Sequence, residues 1–176
     1  MQTTITSIDN DSSMTKVIIF DLDDTLYNEV DYLEGRKLTL FPGTADVLTL
    51  LTEKGFVLGM ITNGDTKTQM GKAEKLNLLR WFPRENIITA EMIGSYKPED
   101  GMYRHFMKKY PGARFIYVGN NLEKDFLPAN NLGWTTVCML DNGRHIHPQD
   151  FTLPQEYLPQ QRIHEMKELM NIIEAI

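Results

Sequence analysis

Lys16-Val-Ile-Ile-Phe-Asp21-Leu-Asp-Asp-Thr-Leu26 is the stretch on which the fold turns. After Lys16 it runs through four apolar residues, three of them β-branched, with no polar residue between them. A strand of that kind is buried on both faces, and such strands belong to parallel sheets. The run stops abruptly at the acids Asp21, Asp23 and Asp24. Working outward, helix and strand signals alternate. Pro42-Gly43-Thr44 opens a helix that Gly55 stops. Phe56 to Ile61 is a second strand, ending at Thr62-Asn63-Gly64, and Asp65 or Thr66 caps a helix reaching about Leu79. Asn86 to Thr89 is a third strand, and Pro98 suits the start of a helix reaching about Lys109. Arg114 to Val118 is a fourth strand, and the helix after it tolerates Pro128 only in its first turn. Trp134 to Met139 is a fifth. Ile163, Met166, Met170 and Ile173 recur at helical spacing, which predicts a closing amphipathic helix from about Arg162 to Ile176. This alternation predicts an α/β fold: a Rossmann-like three-layer sandwich with a five-stranded parallel sheet and right-handed crossovers.

A chain of 176 residues fits one compact domain. Residues 1–14 read as a flexible polar tail without the features of a secretory signal, and 15–176 as a single domain. The formal charge is −6 with no basic run, so nucleic acid is not an expected partner. No apolar stretch approaches the roughly 18–20 residues of a membrane span. The lone Cys138 cannot form an intramolecular disulfide, which fits a reducing compartment; the expected setting is the cytoplasm. Residues 142–161 form the longest stretch without a helix or strand signal after the tail, which suggests a functional or packed-down loop.

Open parallel sheets bind ligands beyond the carboxyl ends of their strands. Collected there are Asp21, Asp23 and Asp24, then Thr62 and Asn63, then Lys97, then Asn120 with Glu123 and Asp125 beyond it. Alternate residues of an extended chain point the same way, so Asp21 and Asp23 face a common space while Asp24 points elsewhere and reads as structural. Two adjacent carboxylates push one pKa upward, leaving one to attack while the other holds a proton. Hard oxygen ligands in such a place suit Mg²⁺. Thr62, the backbone near Asn63-Gly64 and the Lys97 ammonium would bind a phosphoryl group, whose transfer depends on positioning and charge stabilisation.

These residues carry a resemblance. The strand with Asp21-Leu22-Asp23-Asp24-Thr25-Leu26, then Thr62, then Lys97-Pro98, then Gly119-Asn-Asn-Leu-Glu-Lys-Asp125, resembles the four motifs of the haloacid dehalogenase superfamily, in order. The resemblance implies that Asp21 is a nucleophile forming an aspartyl-phosphate and Asp23 its acid/base partner. It implies that Thr62, Asn63 and Lys97 bind phosphate. It also implies that Mg²⁺ is held by Asp21, the Asp23 carbonyl and the fourth motif, here Asn120 and Asp125. The superfamily's dehalogenases lack the second aspartate, so Asp23 favours phosphate ester hydrolysis. Two features depart from the pattern. The fourth motif usually begins Gly-Asp, and here it is Gly119-Asn120, which predicts weaker Mg²⁺ binding. Only about sixteen residues separate Thr25 from Pro42, so the cap that many relatives insert there is absent or reduced to a small flap. In the family an open site goes with bulky substrates or with shielding by a partner subunit.

The expected activity is a magnesium-dependent phosphomonoesterase acting on a phosphorylated small molecule or a phosphoprotein, with a homo-oligomer also open. The competing reading, kept alive by Asn120, is a weakened or inactive relative that binds phosphorylated ligands or a partner protein. A phospho-accepting receiver domain is rejected on the order of its acids, because the strand after the acidic group ends in Thr62-Asn63. A zinc site at His145 and His147 is a poor fit for two loop ligands and one cysteine.

Overall fold

The computed structural model describes residues 14–176, so all but Met14 of the predicted tail lies outside the described residues. In chain order the elements are β1 (Lys16–Phe20), α1 (Glu29–Leu33), α2 (Thr44–Glu53), β2 (Val57–Thr62), α3 (Thr66–Lys75), β3 (Ile87–Thr89), α4 (Ala90–Ile93), α5 (Gly101–Lys109), β4 (Arg114–Gly119), α6 (Phe126–Asn131), β5 (Thr135–Met139), β6 (Gln161–Ile163) and α7 (Leu169–Glu174). The sheet is parallel throughout, with order β3-β2-β1-β4-β5-β6. Among the described residues it therefore has six strands, not the five expected. The sixth escapes the sequence pattern because it is three residues long and buries only Ile163; Gln161 and Arg162 are exposed. The closing helix is also shorter than its periodicity suggests, since Met166–Glu168 form a 3₁₀ turn before α7 begins. Pro128 lies in the first turn of α6, as it must.

Strand β1 occupies the middle of the sheet, and its residues divide between the two layers as a two-residue period requires. Ile18 and Phe20 join the core formed with α2 and α7, while Val17 and Ile19 join the core formed with α5 and α6. That two-sided burial explains the unbroken apolar run. Chain order departs in both directions from β1, to β2 on one side and β4 on the other, so the carboxyl end of β1 is the switch point where such sheets open a crevice.

Close approach constrains β2 at Gly59. A Cβ there would lie 2.6 Å from Ile19 Cδ1 and 2.7 Å from Phe106 Cε1, both fully buried side chains. Gly59→Ala is expected to destabilise the fold by about 1–3 kcal/mol through over-packing. A urea midpoint equal to the unsubstituted protein's would contradict this.

Candidate functional site

All seven site residues expected from sequence, Asp21, Asp23, Thr62, Asn63, Lys97, Asn120 and Asp125, line one cleft of about 280 Å³ at the switch point. Its centre is a buried ammonium. Lys97 Nζ donates to Asp21 Oδ1 at 2.9 Å, to Asp125 Oδ1 at 2.6 Å and to the Tyr117 hydroxyl at 3.2 Å. Burial opposes the lysine's charge, but Asp125 and then Asp21 more than offset it, and the net shift of its pKa is upward.

Asp21 extends β1 by one residue, its N–H donating to the Val118 carbonyl at 2.8 Å. Burial, and after it the Asp125 carboxylate, push its acid up from 3.8 to about 8, against the pull of Lys97. The elevation expected from two neighbouring carboxylates thus falls on Asp21, and Asp23 is only a lesser contributor to it. Asp23 has an ammonium of its own. Its Oδ1 accepts from Lys72 Nζ at 2.8 Å and from the Tyr27 hydroxyl, and its Oδ2 accepts from Gln69 Nε2 at 3.0 Å. Lys72 is buried and also lies over the Tyr32 ring, 4.3 Å from its centroid.

Sequence reasoning missed Lys72, Gln69 and Tyr27. A signal for the first two exists: Gln69, Lys72 and Ala73 form the buried stripe of α3, and a stripe at that spacing should be apolar. Gln69 Nε2 also donates to Thr62 Oγ1 at 2.5 Å, linking Thr62 to Asp23. α3 itself starts where expected, with Asp65 accepting from the Thr68 N–H at 2.9 Å.

Asn63 clamps the Lys97 backbone from both sides. Its Oδ1 accepts from the Lys97 N–H at 2.9 Å and its Nδ2 donates to the Lys97 carbonyl at 3.2 Å. Asp125 accepts four donors: Lys97 and Tyr117 on Oδ1, and the Asn120 and Asn121 N–H groups on Oδ2 at 3.0 and 2.8 Å. With both oxygens so engaged, Asp125 supports Lys97 and the turn after β4 and presents no free oxygen to the cleft. Gly119 admits that arrangement, since a Cβ would lie 2.7 Å from Asp125 Oδ2.

Asp24 points away from the cleft, as expected. It adopts a left-handed φ of 60°, which an aspartate tolerates better than most residues. Its Oδ1 accepts from the Glu29 N–H at 3.0 Å and its Oδ2 from the Ile146 N–H at 2.9 Å. The short flap carrying α1 and the loop beyond β5 are thereby tied together, and Arg144 adds an ion pair to Asp31 at 2.6 Å. Glu29 from the flap and His147 from the loop reach the cleft wall.

Among the described residues no three His, Cys, Asp or Glu side chains are grouped to hold a metal ion. A magnesium site here rests on mixed oxygens instead. The end of the Asn120 carboxamide lies 2.8 Å from Asp21 Oδ2 and 2.9 Å from the Asp23 carbonyl oxygen. Adjacent ligands of an octahedral Mg²⁺ at 2.0–2.1 Å are about 2.9 Å apart. The donor set therefore fits the ion when Asn120 offers its oxygen.

The fold is a parallel α/β sheet with a charged cleft at its switch point, and comparison makes the class definite. The chain matches the model of the haloacid dehalogenase-like hydrolases over residues 28–133, more than half its length, and belongs to that family. It is 31% identical over 138 residues to a glyceraldehyde 3-phosphate phosphatase of Methanocaldococcus jannaschii, covering 77% of this chain and 57% of that one. It is 31% identical over 108 residues to a ribulose-1,5-bisphosphate 5-phosphatase of Halopiger xanaduensis, covering 60% and 44%. The chain thus spans about half the length of these curated relatives. Among solved structures it resembles a HAD phosphatase from Thermococcus onnurineus, with TM-score 0.71 and 19% identity over 90% of this chain and 98% of that one. It also resembles a 2-haloacid dehalogenase from Pseudomonas syringae pv. Tomato, with TM-score 0.69 and 18% identity over 92% and 99%. The same fold carries both chemistries, so the fold alone does not choose between them. No helix among the described residues is long and apolar enough to cross a membrane.

The cleft wall also stores a pH dependence. Burial, and then the Asp23 charge, push Glu29 up from 4.5 to about 7. An unfolded chain would ionise this group near 4.5, so the folded state holds the extra proton between those values. Its contribution is therefore lost as pH rises through that window. Glu29→Gln is expected to flatten the fall in thermal midpoint between about pH 5 and about pH 8. An unchanged slope would mean that Glu29 is ionised throughout.

Proposed function

We propose that this chain is a magnesium-dependent phosphomonoesterase working through an aspartyl-phosphate on Asp21. The observation that supports it best is the convergence of Asp21, Asp23, Thr62 and Lys97 on one cleft. The two curated relatives above, each a phosphatase by name, support the same class of reaction.

Asp21 Oδ2 faces the Asn120 carboxamide on the side where the metal would be held, which leaves Oδ1, beside the Lys97 ammonium, as the attacking oxygen. It attacks phosphorus, the bond to the leaving oxygen breaks, and Asp23 gives that oxygen a proton. Asp23 then takes a proton from water, the water oxygen attacks phosphorus, and the Asp21–phosphorus bond breaks to release inorganic phosphate. Thr62 Oγ1 and the N–H groups after it orient the phosphoryl oxygens, and Lys97 offsets their charge. Asn63 contributes by fixing Lys97. Mg²⁺ would be held by the Asp21 carboxylate, the Asp23 carbonyl and Asn120 Oδ1, with Asp125 supporting from behind, and would neutralise charge on the transferring group. The substrate class is a small phosphorylated metabolite, in keeping with a cleft of about 280 Å³ and with relatives that act on sugar phosphates. The buried Cys138 fits a reducing setting, and the cytoplasm is the proposed one.

Asn120 favours the second reading, a relative that binds phosphorylated ligands without efficient turnover. Release of phosphate from an aryl phosphate and from short sugar phosphates, with excess magnesium, separates the two. Turnover above an Asp21→Asn control is expected; equal rates would leave only the binding reading. Lys72→Met should lower kcat by about 10–100-fold with little change in KM, because Asp23 loses the ammonium that positions it. An unchanged kcat would mean that Lys72 does not position Asp23 for the reaction.

A further inference from the structure

Asn120 stands where the family pattern has an acid, and its surroundings give it a role of its own. The Asp23 backbone carbonyl can only accept a hydrogen bond, so the carboxamide atom facing it is a donor. With the carboxamide so assigned, the two Nδ2 hydrogens serve Asp21 Oδ2 at 2.8 Å and the Asp23 carbonyl at 2.9 Å, and Thr25 Oγ1 lies 3.0 Å from the same nitrogen. The first two acceptors are the oxygens that would ligate the metal. An N–H₂ group thus spans the very pair of oxygens that a cation would draw together.

We infer that Asn120 is a two-position ligand: without metal its Nδ2 takes the cation's place between Asp21 and the Asp23 carbonyl, and metal binding turns the carboxamide to present Oδ1. The inference rests on the magnesium part of the reading above but not on turnover. The chemistry is asymmetric. An aspartate at this position would set a second carboxylate against Asp21 Oδ2 whenever the site is empty, and would welcome Mg²⁺. Asparagine satisfies the empty site with its own donors, so Mg²⁺ must displace those hydrogen bonds and then gains a neutral ligand in return. The empty cleft is stabilised and the metal is held less tightly. Asn120 is buried, and its backbone N–H is fixed by Asp125, so rotation of the terminal amide is the movement available to it.

The test uses the full chain and magnesium chloride alone. Asn120→Asp is expected to melt below the unsubstituted protein in EDTA, and to bind Mg²⁺ about 10–100-fold more tightly by calorimetry. A melting point in EDTA equal to or above that of the unsubstituted protein, or the same Mg²⁺ affinity, overturns the inference. Should the variant not fold, the unsubstituted protein decides. Its Asn120 carboxamide protons, recognised by their disappearance in Asn120→Ala, should be protected from exchange in EDTA and lose that protection as Mg²⁺ saturates. Protection that persists, or no Mg²⁺ binding at all, overturns it equally. Phosphate release is scored separately against Asp21→Asn. Turnover with an unmoved carboxamide sinks only the two-position ligand, and a moving carboxamide without turnover sinks only the esterase.

Discussion

A lysine ammonium removed from water is costly unless anions meet it, and at the heart of this molecule two do. Lys97 Nζ sits between Asp21 and Asp125, and each element around the cleft serves that placement. β1 delivers Asp21 at the sheet's switch point. Asn63, at the end of β2, grips the Lys97 backbone. Gly119 at the end of β4 leaves room for the Asp125 carboxylate, which two backbone N–H groups and the Tyr117 hydroxyl hold in place. Removing either carboxylate would leave a buried charge half-compensated. The site is thus assembled by the same electrostatics that let the core close over it.

A second pair, Lys72 with Asp23, is built from the other direction. It enters from α3, while Lys97 enters from the segment after α4. Asp21 and Asp23 point into one cleft, yet each answers to a different lysine. The environment of Asp21 is set by burial and Asp125, and that of Asp23 by direct contact with Lys72, Gln69 and Tyr27. The two acids are therefore held by two separate sets of partners.

What could be read from the sequence follows from the range of the interactions. β1 announces itself because a strand buried on both faces has no polar alternation, and the acids that end it sit at a place fixed by topology. The cleft residues at strand ends were legible for the same reason. Lys72 and Gln69 were not, because a lysine and a glutamine on a helix read as solvated until the helix is packed against the sheet. Asp125 was legible as an acid near the site, but its four donors come from β4, the turn after it and Lys97, a convergence that no local pattern records. β6 was lost because one buried residue in three carries no period.

The open rim follows from the same economy of parts. Asp24 leaves the cleft through a left-handed turn and bonds the flap at Glu29 and the loop at Ile146. The two segments that could shape a substrate are therefore anchored to the residue next to Asp23. Gln149 strengthens the tie, its Nε2 donating to the Asn120 carbonyl at 2.8 Å and to the Met139 carbonyl at 2.9 Å. The loop that lacked any helix or strand signal is packed down by side chains satisfying the ends of β4 and β5. The deep end of the cleft, where charge is handled, is fixed by the sheet. Its mouth is made of short segments pinned at a few polar points, and a fold so divided can change what it accepts at the mouth without disturbing Lys97 and its two carboxylates.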